Sequence, residues 1–545
     1  MYRQIYDPVA NSIAASAACA AIPLAVLFVM LGVFRISARW SALGGLISAG
    51  VVAVAVYAMP AAQVGSAILE GASIGFFPII WVGINAIWVF KLTQASGHDV
   101  ILRQSLSMVS QDLRVQAILI AFCFGGLLES VAGGGAPVAI CAVMLISIGV
   151  DPIKAAAICL IADTSPVAFG SLGLPINLLA KITQLPVHAL SMMVGRQTLV
   201  LAVFVPFILV IIADGKRGLR EVWPLALVAG LAFAATQCLA SMVLPLELVD
   251  ISAALVSIAC SVGFLKVWSP AAVRQSLESK HIQTESMTAS TAVRGPTTPV
   301  ARFEMLRALS PYLTIITLVG LMQVDVIGKL MGAATSSFNW PGLDIVNAAG
   351  KPVSTNAKFE WLSSAGSIML FAGTIVGPGL GLSWSRIARI YLHTLRDLRW
   401  AIFTVCCVVG CAYVMNLSGQ VITLGIFAAN AGPMFAFVSP VLGWFATSLT
   451  GSDTSANTLF GVLQITTAHR TGLSDVLLAA ANSSGGVAGK AISPQNLTIA
   501  AVAVGVSGKE GRLFRRVFGW TLLMITAMSI LVYLQSTSVL GWTVP

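Results

Sequence analysis

Glu129, Asp163, Asp453 and Lys490 are charged residues set inside long apolar runs of a 545-residue chain. Charge in such a place is costly, so it marks a functional candidate by default. Glu129 stands before Ser130-Val131-Ala132-Gly133-Gly134-Gly135-Ala136-Pro137, where three glycines permit a sharp turn whose freed amides could bind an anion. Asp163, Thr164 and Ser165 precede Pro166, which disfavours helix at Ser165. Freed carbonyls and hydroxyls there could take a proton, a cation or a substrate hydroxyl; the plainer alternative is that Thr164 and Ser165 bond back to their own helix. The second half carries Thr450-Gly-Ser452-Asp453-Thr454-Ser-Ala-Asn457 and Asn482-Ser483-Ser-Gly-Gly-Val-Ala-Gly-Lys490, too polar for a lipid-facing surface. Lys490 suits two uses, as partner of an anionic ligand or as internal neutraliser of Asp453 or Glu129.

The candidate proton-coupling residues are therefore Glu129, Asp163 and Asp453. The candidate binding residues are Gly133, Gly134, Gly135, Ala136, Thr164, Ser165, Ser452, Thr454, Asn457, Asn482, Ser483 and Lys490. Enzyme motifs give way on inspection. Gly71-Ala-Ser73-Ile-Gly75 has the G-x-S-x-G form but lies in an apolar helix rather than a strand-to-helix elbow. Gly485-Gly-Val-Ala-Gly489-Lys490 has the wrong glycine spacing for a phosphate loop, and Ala491 stands where Ser or Thr would hold magnesium. The five histidines are scattered without H-E-x-x-H, and the nine cysteines form no C-x-x-C pair. No catalytic residue, metal or cofactor is expected.

The elements that must position these residues follow from composition. The chain is 57% hydrophobic and 10% charged, with a mean hydropathy of +0.91, against roughly 25% charged residues in soluble domains. Its net charge of +10 sits in short clusters between apolar runs, as the positive-inside rule requires, so a nucleic-acid partner is not expected and the lipid bilayer is. Apolar runs at 9–34, 42–60, 68–90, 154–178, 190–213, 222–241, 248–267, 306–324, 361–383, 400–416, 475–505 and 517–541 give about twelve crossings. Basic clusters at Arg35 and Arg39, at Arg103 and Arg114, at Lys216, Arg217 and Arg220, at 386–399 and at 509–516 are expected inside. The loop around Glu247 and Asp250, the segment 325–360 and both termini are expected outside.

Charge parity shapes the rest. Arg114 and Lys216 share a side, so 115–149 must return as a re-entrant hairpin or cross twice, and 420–468 does likewise from the opposite side. Beside each lies a crossing with a polar break, at Asp163–Pro166 in 154–178 and at Asn482–Gly485 in 475–505. Elements of opposite polarity in corresponding places are the pattern of inverted-repeat secondary transporters. The expected fold is an all-α polytopic membrane protein of about twelve transmembrane helices plus two re-entrant hairpins. An N-terminal half spans 1–267, a Ser/Thr/Pro-rich cytoplasmic linker 268–303, and a C-terminal half 304–545.

Glu129 to Ile140, the Pro-Val-Ala-Phe-Gly core of Thr164 to Gly170, Val194-Gly-Arg-Gln197, Leu449-Thr-Gly-Ser-Asp-Thr-Ser455 and Ile492-Ser-Pro-Gln495 together resemble the L-lactate permease family. The resemblance implies a bacterial inner-membrane secondary transporter taking up L-lactate, D-lactate or glycolate with protons; a sodium-coupled symporter and a passive anion channel are the alternatives, and a homodimer is compatible with it. The chain departs from the family pattern at Ser130 and Gly134, where a glycine and a phenylalanine are usual, and at Asp163, where asparagine is frequent.

Overall fold

The computed structural model describes residues 1–32, 36–98, 112–131, 135–269, 302–322, 324–348, 350–353, 355–506 and 509–545, with 34, 101, 110 and 133. Arg35, Arg103, Gly134 and nearly all of the 268–303 linker lie outside the described residues. The protein is mostly helical. Among the described residues, eight helices are long and apolar enough to cross a membrane, or nine if one bent pair forms a single span.

That number undercounts the rods. The helix α1 spans Leu113–Val131, α2 Ala136–Ser147, α3 Pro152–Ala162, α4 Gly170–Thr183 and α5 Val187–Val243. With 57 residues, α5 would measure ~85 Å if straight, far beyond a hydrocarbon core of roughly 30 Å. Gly215 breaks it at φ 66° and ψ −152°, a conformation open to glycine. The two arms then run back along each other: Gly230 lies against the Val203 carbonyl, Gly195 against Ser241, and Thr198 bonds Gln237. At that turn Arg114, from the start of α1, pairs with Asp112 at 2.7 Å, Asp214 at 3.1 Å and Glu221 at 2.7 Å.

The remaining elements needed here are α6 (Val249–Val267), α7 (Trp384–Leu417), α8 (Phe435–Thr450), α9 (Asp453–Thr471), α10 (Asp475–Lys490), α11 (Pro494–Ala503) and α12 (Glu510–Gln535). The apolar run 400–416 is only the second half of α7, whose first half carries Arg386, Arg389, Arg396 and Arg399. Gln420–Ala428 and a 3-10 turn lead into α8. The left-handed Gly451 (φ 74°) and the capping Ser452 then join α8 to α9.

Outside the helices, strand β1 (Tyr2–Arg3) pairs in parallel with β3 (Ile345–Val346), and β2 (Thr335–Asn339) pairs antiparallel with β4 (Asn356–Glu360). The N-terminal segment is thereby fastened to the 325–360 segment on one side of the bundle.

One expected break is absent. Asn482-Ser-Ser-Gly485 lies within the regular helix α10, and the chain breaks later, at Ala491–Ser493. The glycines serve packing instead: a Cβ on Gly485 would strike the Pro440 carbonyl and one on Gly489 the Trp444 carbonyl, while Gly443 lies against the Asn482 carbonyl. Close backbone approach through small residues is a main source of helix association in membranes and offsets glycine's low helix propensity. The first break falls where expected, between Ala162 and Val167, with a bend of 63°.

Candidate functional site

The first broken helix, the turn between α1 and α2 and the end of α10 meet in one buried cluster. Glu129 is near the C-terminal end of α1, a helix wholly enclosed by protein; Asp163 is the C-cap of α3; Lys490 ends α10. The Lys490 ammonium donates to Glu129 Oε1 at 2.5 Å and lies 3.0 Å from Asp163 Oδ2. All three side chains are no more than 6% exposed. Lys490 thus pairs with both Glu129 and Asp163 in this structure. Two carboxylates on one ammonium leave a formal charge of −1 when both are ionised. Glu129 Oε2 and Asp163 Oδ1 accept no hydrogen bond within the described structure. Breaking one side of a buried pair costs ~3–5 kcal/mol, so any change of charge here has a large consequence.

The local backbone is shaped to make this contact. Gly133 and Gly135 have φ of 55° and 82°, and Ala136 opens α2. After the break, Ser171, Leu172 and Gly173 are left-handed at φ 47°, 60° and 73°. For the two residues with a Cβ that conformation costs ~1–2 kcal/mol each, strain of the sort retained at functional sites. A Cβ on Gly170 would collide with the Glu129 carboxyl, and one on Gly133 with Ser171. Thr164 bonds back to the Ile161 carbonyl at 2.7 Å, the plainer of its two readings. The buried Ser165 hydroxyl finds no hydrogen-bond partner among the described residues.

A second cluster lies about two turns back along α10, ~10 Å from Lys490. Asp453, at the start of α9, accepts from Ser483 at 2.5 Å and from Asn457 at 3.3 Å. Asn457 also donates to the Pro175 carbonyl in α4 at 3.2 Å and accepts from Asn482 at 2.9 Å. Asn482 in turn accepts from Gln464 at 3.2 Å, and Gln464 accepts from Ser439 at 2.8 Å. Gly486 is bare between the clusters, and a Cβ there would strike Asp453 Oδ1. Ser452 caps α9 through Ser455, and Thr454 sits half-buried beside it. Every described candidate therefore falls at one of the two clusters, at the Asp163–Pro166 break, or at the turn that opens α2 or α9.

Sequence reasoning missed several members. Gln464 follows Asn457 by seven residues on one face of α9, a spacing that was readable. Ser439 and Asn496 lacked such a signal; the Asn496 amide donates to the Lys490 carbonyl at 3.0 Å, and its oxygen lies against Gly135. Asp250, expected in an outside loop, is in the first turn of α6 and 1% exposed. Glu70 is likewise buried, at 2%, in the helix Ala61–Ile74.

A helical chain with this many membrane-capable rods, and charge sealed where broken helices meet, defines a polytopic membrane protein. The sequence model of the L-lactate permease family matches residues 16–539, and the chain belongs to that family. It is 39% identical over the full length of both chains to the L-lactate permease of Bacillus subtilis. It is 39% identical to the glycolate permease GlcA of Escherichia coli K12, covering 98% of each chain, and 36% identical to that organism's L-lactate permease, over all of both. Among solved structures, the YdaH transporter of Alcanivorax borkumensis aligns with 85% of this chain and 86% of its own at 14% identity and a TM-score of 0.40, a likeness too low to bear on the arrangement of helices. Membership of a permease family implies a transporter of a small solute.

Proposed function

We propose that the protein takes up L-lactate and related 2-hydroxymonocarboxylates, D-lactate and glycolate among them, by proton symport across the bacterial inner membrane. The observation that carries this reading is the pair of carboxylates on the single buried ammonium of Lys490. A substrate carboxylate cannot add to a cluster already at −1 without heavy cost. Protonation of Glu129 or Asp163 releases part of the ammonium's hydrogen-bonding capacity and restores the charge the incoming anion removes. The same proton cancels the cost of bringing an anion inward against the membrane potential, about 2.3 kcal/mol per 100 mV. Amides at Gly133–Ala136 and the polar groups of Ser165, Ser452 and Thr454 are the proposed ligands of the carboxylate and hydroxyl, with Asp453, Asn457, Asn482 and Ser483 holding the second hairpin in place.

The proposed architecture is about twelve crossings with two hairpins in inverted repeat. Its support is a reciprocal packing: the second limb of the first hairpin, α2, lies on α11 beyond the second break, and the second limb of the other, α9, lies on α4 beyond the first. Alternating access then moves these hairpins and broken helices against the remaining scaffold. Strand pairing of β1 with β3 supports a common, outer side for the N-terminus and the 325–360 segment.

Purified protein in proteoliposomes, given labelled L-lactate and an inward proton gradient in sodium-free medium, tests the reading. Accumulation above the external concentration is expected, with D-lactate and glycolate competing. Purely downhill flux would identify a channel, and accumulation appearing only with sodium would replace the proton by that cation.

A further inference from the structure

The carboxyl of Asp250 is 1% exposed, yet nothing in the cluster above uses it. Its Oδ1 accepts from Gln237 Nε2 at 2.7 Å. The same amide nitrogen reaches the Ser165 carbonyl at 3.3 Å, inside the Asp163–Pro166 break. The other end of that amide is fixed, since Gln237 Oε1 accepts from Thr198 at 2.9 Å. Gln237 is itself fully buried. Among the described residues Asp250 Oδ2 and the Ser165 hydroxyl both lack partners, so an acceptor without a donor and a donor without an acceptor flank one bridging amide.

No cation pairs with Asp250 among the described residues. The elements packed against α6 carry Arg114, Cys123 and Glu129 on α1, Lys181 on α4, Glu247 in the preceding turn, and His188, Asp214, Lys216, Arg217, Arg220, Glu221 and Cys238 on α5. Arg196, also on α5, is turned to the Thr543 carbonyl. None of these makes a hydrogen bond or ion pair with Asp250. A purely structural role would be met by an amide or an apolar side chain at far lower cost than a buried carboxyl.

We propose that Asp250 is a second proton-binding site, coupled through Gln237 to the first helix break. The proton adds to Oδ2 from water on one face of the membrane and leaves to water on the other. A carboxylate draws the Gln237 amide strongly, because hydrogen bonds to ionised acceptors are about twice as strong as neutral ones. The neutral acid draws it less, and the amide then favours the Ser165 carbonyl. Protonation of Asp250 thereby steadies the broken end of α3 next to Asp163, and ionisation loosens it. Asp250 acts through Gln237 and is a positioning residue for the break, not a ligand of the substrate.

This inference rests on the proton-symport reading, and Asp250→Asn in proteoliposomes separates the two. Asparagine keeps an acceptor for Gln237 but cannot ionise. Lactate exchange at equal pH on both sides is expected to stay within about threefold of the unsubstituted protein, while accumulation driven by a pH step falls about tenfold and the pH profile of uptake flattens. Unchanged accumulation and profile would overturn the inference, as would a parallel loss of exchange and accumulation in protein that melts normally, since that marks a structural role. If D250N does not fold, Gln237→Leu carries the same expectation because it cuts the bridge and leaves the carboxyl. Failure of the unsubstituted protein to accumulate lactate with a pH step would instead remove the proton reading itself.

Discussion

The two polar clusters on α10 are built on opposite principles. Around Lys490 the groups are ionic, with more carboxylate than ammonium, and oxygens on Glu129 and Asp163 have no partner. Around Asp453, itself a buried carboxyl whose Oδ1 finds no partner among the described residues, no cation is paired with it there and the bonds run through amides and hydroxyls, with Asn457, Asn482, Gln464 and Ser439 linked in sequence. An ionic cluster with unequal charge responds strongly to one proton. A chain of neutral hydrogen bonds fixes geometry and responds little. On the proposed reading, coupling belongs to the first region and rigidity to the second.

Removing the cation breaks this comparison most forcefully. Lys490→Met leaves two buried carboxylates facing each other, and transport is expected to fall by at least ~100-fold with a lower melting temperature, given ~3–5 kcal/mol for an unpaired buried charge. Adding Glu129→Gln and Asp163→Asn to that variant is expected to restore the melting temperature but not lactate accumulation. Recovery of accumulation would show that the charges serve folding alone.

Next in size, Glu129→Gln or Asp163→Asn is expected to reduce pH-driven accumulation about tenfold while lactate exchange persists, because exchange needs no net proton movement. Equal loss in both assays would shift these residues to the structural side of the comparison. Gly486→Ala sharpens it from the other side. The added methyl meets the Asp453 carboxyl, and a loss of about 1–3 kcal/mol in stability is expected, read as a lower melting temperature with uptake reduced at every pH alike.

The smallest effect is expected at the solvent-facing end. Burial alone would raise the Asp112 carboxyl, but the Arg114 side chain and backbone amide outweigh it and hold Asp112 below the usual carboxylate range. A lowered folded-state value means the stabilisation is complete above the unfolded value of about 3.9 and is lost as pH falls through the folded value. Asp112→Asn should therefore lower thermal stability modestly between pH 5 and 8, with the difference starting to shrink only below about pH 4 and vanishing once pH is under the folded value. Convergence at high pH would reverse the sign and refute it.

Much of this comparison was legible before any geometry. Glu129, Asp163, Asp453 and Lys490 stand out because charge is expensive in apolar runs, and the Asp163–Pro166 break follows from proline chemistry. Pairing was not legible, since Glu129 and Lys490 are 361 residues apart and spacing says nothing across such a distance. Asn482–Gly485 misled because glycine next to polar residues signals a turn in water, whereas here it lets the α8 backbone approach α10. Asp250 misled for a related reason: an acidic residue near a helix end reads as a loop, and only the fold shows that Gln237 holds it inside.

The central claim is that lactate and a proton enter the Glu129–Asp163–Lys490 cluster together. Calorimetry of L-lactate binding to the purified protein, in buffers of different ionisation enthalpy at one pH, measures the protons taken up as the anion binds. The account requires net uptake of at least about one proton per lactate, reduced in Glu129→Gln or Asp163→Asn. Binding with no proton uptake in the unsubstituted protein would contradict it.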